Sequence, residues 1–425
     1  MWTATHISQS PEVAAVSSLR CLARRALPRS ALALVGLASL ASPAYAGPCS
    51  DVKNAVYVAT TPSAEQYVEK IAQLLQLDDA NPLPVIWQVT SSCRAAESVV
   101  LDATPSGACA PGACLTGTAK VWPLDRSPVK TCELDNKNGT HINLAVADVF
   151  PASCPSLATK PTSGVLDLLG PISPYALVMS AQATEGAIHA EEAHFVFGAG
   201  KVAGVKPWLN DSAVVLLGDR DAGPLLLAPR IKLPIGKWRT GRVVTSADEV
   251  FTSLPMEPAT ALSILPTTLI DKRRADVRVL GFQSIGQRGA FFPDRKSNTF
   301  DKQNVRDGHY PLWGYVHMLL LADPVRPMQP LSLPAGRVAD ILIGKDKVAS
   351  RDTVPMQLSQ GFVPQCAMRV AKASDGAPLT PAPDKDACNC WFEKNVPGGL
   401  LNCGECKDGM TCAVGTCRRN FCEVD

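Results

Sequence analysis

The sequence predicts an α/β protein of two successive units, ending in a small disulfide-rich module. Three observations predict it. From Val56 onward, strand-like apolar runs alternate with amphipathic, helix-like stretches. Cysteines crowd both ends of the 425-residue chain and are missing between Cys154 and Cys366. The last stretch, from Cys388, is too short to bury a core of its own, yet carries closely spaced cysteines.

Taken in order, the chain opens on a targeting segment. Arg20, Arg24, Arg25 and Arg29 precede the apolar run Ala31 to Leu40, and Ala44-Tyr45-Ala46 follows as a small-x-small cleavage signal. Residues 1–46 read as a signal peptide, with Gly47 as the mature start. No other stretch is long and apolar enough to span a membrane, so a periplasmic or secreted protein is expected. Of the 15 cysteines, Cys21 falls in the removed segment, which leaves an even number. In an exported chain that implies disulfides among Cys49, Cys93, Cys109, Cys114, Cys132, Cys154, Cys366, Cys388, Cys390, Cys403, Cys406, Cys412, Cys417 and Cys422, with a pairing that the sequence does not reveal. A formal net charge of +2, no polybasic run and few aromatics argue against a nucleic-acid partner.

The first unit begins with the strand-to-helix run Val56-Tyr57-Val58-Ala59-Thr60-Thr61-Pro62-Ser63. Thr61 suits an N-cap, and Pro62 sits where a missing N–H costs nothing. Apolar residues at Ala64, Tyr67, Val68, Ile71, Leu74 and Leu75 give one helical face. A second strand, Val85–Val89, leads through Thr90-Ser91-Ser92 to a helix from Ala95 to Leu101. Residues 104–117 read as a disulfide-tied loop, rich in Gly and Pro. Strands follow at Val129–Leu134 and Asn143–Val146. This β-α-β-α-β order predicts a parallel sheet.

The second unit starts near Pro171. It shows a strand at Tyr175–Met179, a helix at Ala190–Phe197, a strand at Val214–Leu217, a helix at Ala247–Leu254 and a strand at Val277–Phe282. Ala377 to Pro383 has a linker's composition.

Candidate chemistry sits at strand ends. Thr60, Thr61 and Ser63 follow the first strand, Ser91 and Ser92 the second, and Asp148 the strand Asn143–Val146. Open parallel sheets bind ligands beyond the carboxyl ends of their strands. Arg220 ends a strand of the second unit and can hold an oxyanion in a bidentate fork. An ionised Asp148 can only accept hydrogen bonds, so it suits a ligand that still carries a proton.

These segments, in this order, resemble the type 2 periplasmic solute-binding proteins, in their phosphate-binding branch. The resemblance rests on Ala147-Asp148-Val149-Phe150-Pro151, on Glu191 to Gly198 followed by Val205-Lys206-Pro207-Trp208, on Asp219-Arg220-Asp221-Ala222-Gly223, and on Ala261–Leu265 and Tyr310-Pro311-Leu312. It covers roughly residues 50 to 350. It implies two lobes closing on a small oxyanion, phosphate first, with lobe I at 47–170 and 284–350, lobe II at 171–283, a transition at 351–387 and the cysteine-rich module at 388–425. Thr60, Thr61, Ser63, Ser91, Ser92 and Asp148 would line one wall; Arg220 and the amide of Gly223 would line the other. An ABC permease is the implied partner, and a monomer without cofactor the implied form. One departure stands out. Where the family shows Ser-Gly-Thr, this chain has Ala222-Gly223-Pro224, losing two hydroxyls and an N–H.

Two other readings compete. A secreted or surface interaction protein would keep the fold without the ligand and use the tail for contacts. An enzyme is not expected, because no H-E-x-x-H, G-x-S-x-G or phosphate-loop pattern occurs. Cys403-x-x-Cys406 has zinc spacing, but disulfides suit an exported chain better.

Overall fold

The computed structural model describes residues 45–102, 109–110, 112–123, 128–160, 162–217, 222–238, 241–382, 386–400, 403–407 and 411–424. The predicted signal segment, residues 1–46, lies outside them, apart from its last two positions.

After β1 (Tyr45–Pro48), β2 (Val56–Thr60) buries Val56, Val58 and Ala59 and runs towards α1 (Glu65–Gln76). The buried face of α1 is Tyr67, Val68, Ile71, Ala72, Leu74 and Leu75, as the periodicity predicts. The cap differs from the prediction. The helix begins behind Ala64, and no side chain caps it. Thr61 instead offers its carbonyl to the N–H groups of Ala64 and Glu65, while its hydroxyl turns to Ser63. Next come β3 (Val85–Val89) and α2 (Ser92–Val100). α2 starts earlier than predicted because Ser91 is a true N-cap, its hydroxyl accepting from Arg94 N–H at 3.3 Å.

β4 (Thr118–Val121), β5 (Lys130–Glu133) and β6 (Leu144–Ala147) complete this stretch. β2 pairs in parallel with both β3 and β6, as the alternating order predicts. The sheet as a whole is mixed, because β4, unforeseen in the sequence, lies antiparallel to both β3 and β5.

β7 (Val165–Ser180) is sixteen residues long, far beyond the predicted Tyr175–Met179. Then follow β8 (Ala187–His189), α3 (Ala190–Ala199), β9 (Val215–Leu217), α4 (Ala222–Leu227), β10 (Arg242–Val244) and α5 (Ala247–Ser253). β11 (Ser263–Pro266), α6 (Thr267–Ile270), β12 (Val277–Val279), β13 (Gly281–Gln283) and α7 (Gln303–Arg306) lead to β14 (Trp313–Leu321). α8 (Leu333–Ile343) and α9 (Val354–Ser359) come after it.

β7 and β14 organise the molecule. They run antiparallel side by side from Val165↔Leu321 to Pro174↔Trp313. At one end β14 also pairs with β6; at the other, β7 pairs with β11 and β12. One central sheet therefore runs β1-β5-β4-β3-β2-β6-β14-β7-β11. The chain leaves its first α/β unit on β7 and returns on β14, giving the mixed α/β architecture that the resemblance implies.

The tail is not a free appendix. β15 (Val370–Ala371), β16 (Thr380–Pro381), α10 (Asn389–Asn395), β17 (Thr416–Arg418) and β18 (Phe421–Glu423) pack onto the body. Trp391, Phe392, Val396 and Phe421 join the main core, so burial helps the bridges hold the module. Arg306 is wholly buried beneath it. Its guanidinium pairs with Glu393, donates to the Ala367 carbonyl at 2.9 Å and to Asn389 Oδ1 at 3.0 Å, and lies over the Phe392 ring. The Glu423 carboxylate accepts from the N–H groups of Cys390 and Trp391 at the start of α10. Within the predicted transition, Val363 exchanges two hydrogen bonds with Ile172 of β7, at 2.8 and 3.0 Å.

Seven disulfides use all fourteen cysteines named above. They are Cys49–Cys132, Cys93–Cys154, Cys109–Cys114, Cys366–Cys388, Cys390–Cys403, Cys406–Cys417 and Cys412–Cys422.

Candidate functional site

Because β2, β3 and β6 are parallel neighbours, their carboxyl ends lie along one edge. Thr60 closes β2, Ser92 opens α2 just beyond β3, and Asp148 follows β6. Thr60, Thr61, Ser63, Ser92 and Asp148 are all buried. The Thr61 and Ser63 hydroxyls lie 2.8 Å apart, and Ser63 Oγ donates to Asp148 Oδ2. Asp148 N–H donates to Ser92 Oγ at 3.2 Å. The segments picked from the sequence thus converge on one carboxylate. Ser91 does not join them; it caps α2.

Two residues of the long strands complete the cluster. Tyr175 of β7 donates its hydroxyl to Asp148 Oδ2 at 2.7 Å. Gly314 of β14 lets its strand lie against the Asp148 carbonyl, where any Cβ would collide with that oxygen. Sequence reading missed both. Glycine inside the apolar run Trp313–Leu321 was the available signal, since it marks close backbone approach. Tyr175 gave none, because its partner lies two strands away, across β14.

Asp148 is wholly buried, and burial pushes its carboxyl above the usual range. Hydrogen bonds from Ser63, Tyr175 and Thr61, and the nearby His317, act in the opposite direction. Its Oδ1 has no hydrogen-bond partner. Thr60 Oγ1 and Ser173 Oγ are likewise buried without one. Ser173 pairs in register with Gly314 and shares a strand face with Tyr175, two residues on. An acceptor and two hydroxyls therefore stay unsatisfied around the site, a costly arrangement inside a protein. His317 of β14 stands opposite Ala147, with Nδ1 held by Asp167 at 2.8 Å and the Phe150 ring against it.

A strap closes the outside. Asp375 accepts from Phe150 N–H at 3.0 Å and Ser153 Oγ at 2.7 Å, pairs with Lys372 at 3.2 Å, and offers its carbonyl to Arg230 beyond α4. The Lys372 ammonium lies over the Trp313 ring and donates to the Trp313 carbonyl. Burial lowers its pKa to about 8, with the Asp375 charge opposing.

The second predicted wall is apolar where it is described. Arg220 lies outside the described residues. Gly223 sits in α4, where a Cβ would meet Ile264 of β11 at 3.0 Å, and every residue from Ala222 to Leu227 is buried. Leu226 faces the Gly314 position. Among the described residues, no helix is long and apolar enough to cross a membrane.

No family model matches the chain, and no curated protein matches it. Solved structures do. A putative phosphate ABC transporter substrate-binding protein with bound phosphate, from Clostridium perfringens, is similar at 9% identity, over 73% of this chain and 99% of that one, with a TM-score of 0.48. An ABC-type phosphate transport receptor from Vibrio cholerae is similar at 11% identity over 73% and 99%, with a TM-score of 0.45. The reduced OxyR regulatory domain from Pseudomonas aeruginosa is similar at 11% identity over 68% and 96%, with a TM-score of 0.36.

Proposed function

We propose that this is an exported binding protein that holds one small, protonated oxyanion at Asp148 without changing it chemically, phosphate being the first candidate. The observation that supports this best is the buried Asp148 carboxylate, whose Oδ1 has no partner while unsatisfied hydroxyls stand on β2 and β7. A hydrogen phosphate can donate to Oδ1 and accept from Thr60 and Ser173. Sulfate, fully ionised, has no proton to give and meets a repelling charge. Arg220 would supply the balancing cation from the other side. Entry requires the edge to open. With lobe I at 47–170 and 284–350 and lobe II at 171–283, β7 and β14 are the two strands on which it would hinge, and ligand would shift the open–closed balance. An ABC permease would then receive the closed form.

A second reading has its own support. Tyr175 and Ser63 already occupy Asp148 Oδ2, and α4 brings leucines and Pro224 where hydroxyl donors were expected. On that reading the fold is kept without its ligand and the tail serves contacts with other proteins. A thermal-shift screen of the mature chain with phosphate, sulfate and molybdate separates the two. Ligand at a hundred times its Kd adds about 2.7 kcal/mol. Stabilisation by phosphate and not by sulfate is the expected result; no shift with any oxyanion at millimolar concentration removes the binding claim.

A further inference from the structure

The Cys109–Cys114 bridge stands apart from the other six. It closes the shortest loop, with a sequence separation of 5, so it constrains the unfolded chain least. Cys109 is half-buried rather than sealed in the core. Among the described residues, it is also the bridge with a histidine on both sulfurs. His141 Nε2 lies 3.8 Å from Cys109 Sγ, and Nδ1 lies 3.7 Å from Cys114 Sγ. Asp102 Oδ2 holds Nδ1 at 2.5 Å and is itself nearly buried, whereas the His141 side chain is 29% exposed. An ionised carboxylate can only accept, which puts a proton on Nδ1 and turns Nε2 towards Cys109. Arg94, in the first turn of α2, donates to the carbonyls of Gly112 and Cys114 and sets its guanidinium against the loop. Gly139, at φ +79°, seats the opposing turn directly on the bridge; a Cβ there would come within 2.7 Å of Cys114 Cβ.

We infer that Cys109–Cys114 is a reactive disulfide that exchanges with thiols, most effectively a dithiol, with His141 and Asp102 handling the protons. A thiolate of the dithiol attacks the Sγ of Cys109, the less buried residue of the pair. The Cys109–Cys114 bond breaks, and Cys114 leaves as a thiolate beside the imidazole. The second thiol, deprotonated, attacks the substrate sulfur now joined to Cys109. A disulfide forms in the substrate, and Cys109 leaves as a thiolate facing Nε2. The substrate has lost two electrons and two protons; Cys109 and Cys114 have gained both as thiols. Once Nε2 has taken the proton of an attacking thiol, the imidazolium beside both sulfurs favours each release. None of this depends on Asp148 or on any oxyanion.

The test treats the mature, oxidised chain with increasing dithiothreitol and follows each bridge by differential alkylation and peptide mass spectrometry. Cys109–Cys114 should open alone, before the other six. In the reduced form, Cys109 should alkylate with a pH midpoint below the value of about 8.5 of an ordinary thiol. His141→Gln should return that midpoint to the ordinary value and slow opening about tenfold; Asp102→Asn should move both in the same direction. The inference is overturned if Cys109–Cys114 opens together with or after the Cys406–Cys417 and Cys412–Cys422 pairs. It is also overturned if wild-type Cys109 shows an ordinary midpoint, a result that needs no variant to fold.

Discussion

Removing the Cys93–Cys154 bridge tests how the candidate site is held. Cys93 lies in the first turn of α2, next to Ser92, and Cys154 lies six residues after Asp148. Both are fully buried. The bridge therefore staples the start of α2 to the segment that presents the carboxylate. Its sequence separation is 61. The loop-closure relation gives an entropy of about 14 cal/mol/K, or about 4 kcal/mol at 25 °C. The same relation applied to Cys109–Cys114, at a separation of 5, gives about 2 kcal/mol. The double variant Cys93→Ala/Cys154→Ala should thus lose about 4 kcal/mol in urea unfolding, roughly 2 kcal/mol more than Cys109→Ala/Cys114→Ala. Its denaturant slope should rise, because the unfolded chain is less constrained. Equal losses for the two variants, or a loss below about 1 kcal/mol for the first, would refute the claim that the long loop is what the bridge restrains.

Three further outcomes follow from buried groups. Arg306→Ala leaves Glu393 and Asn389 without their partner beneath α10; it should cost about 3–5 kcal/mol and expose residues 388–425 to limited proteolysis while the body resists. Lys372 has its pKa lowered to about 8, so the unfolded chain binds the extra proton between that value and the ordinary 10.5. Stability should therefore rise with pH across that window, by about 3 kcal/mol in total, and Lys372→Met should abolish the rise in pH-dependent melting. Gly314→Ala forces a methyl into the Asp148 carbonyl; it should cost about 3 kcal/mol or more and remove any thermal shift with phosphate.

Much of this architecture is legible in the residues. The apolar runs at Val56–Thr60 and Val85–Val89 are strands, the face of α1 follows its 3.6 period, and an even cysteine number becomes seven pairs. Thr61, Ser63, Ser92 and Asp148 meet because a parallel sheet puts the ends of its strands together, which order alone predicts. What escaped the sequence is long-range. The extent of β7 is set by pairing with β14, β11 and β12 rather than by local propensity. The bonds of Tyr175 to Asp148, of Asp375 to Phe150 and Ser153, and of Lys372 to Trp313 join residues far apart in the chain. Thr61 looked like a cap, but its hydroxyl found Ser63, which bonds the buried Asp148 carboxylate, while its carbonyl accepts from the first N–H groups of the helix. The cysteine-rich tail looked self-contained, and nothing local to it announces that Arg306 waits beneath.

Isothermal titration of the chain from Gly47 onward with phosphate and with sulfate, wild type beside Asp148→Asn, addresses the central claim most directly. The wild type should bind phosphate and reject sulfate. Asp148→Asn should weaken phosphate about tenfold to a hundredfold, the worth of one hydrogen bond to a charged group, and should admit sulfate. An absence of heat with any oxyanion in the wild type would contradict the account, as would an Asp148→Asn protein with unchanged affinity and selectivity.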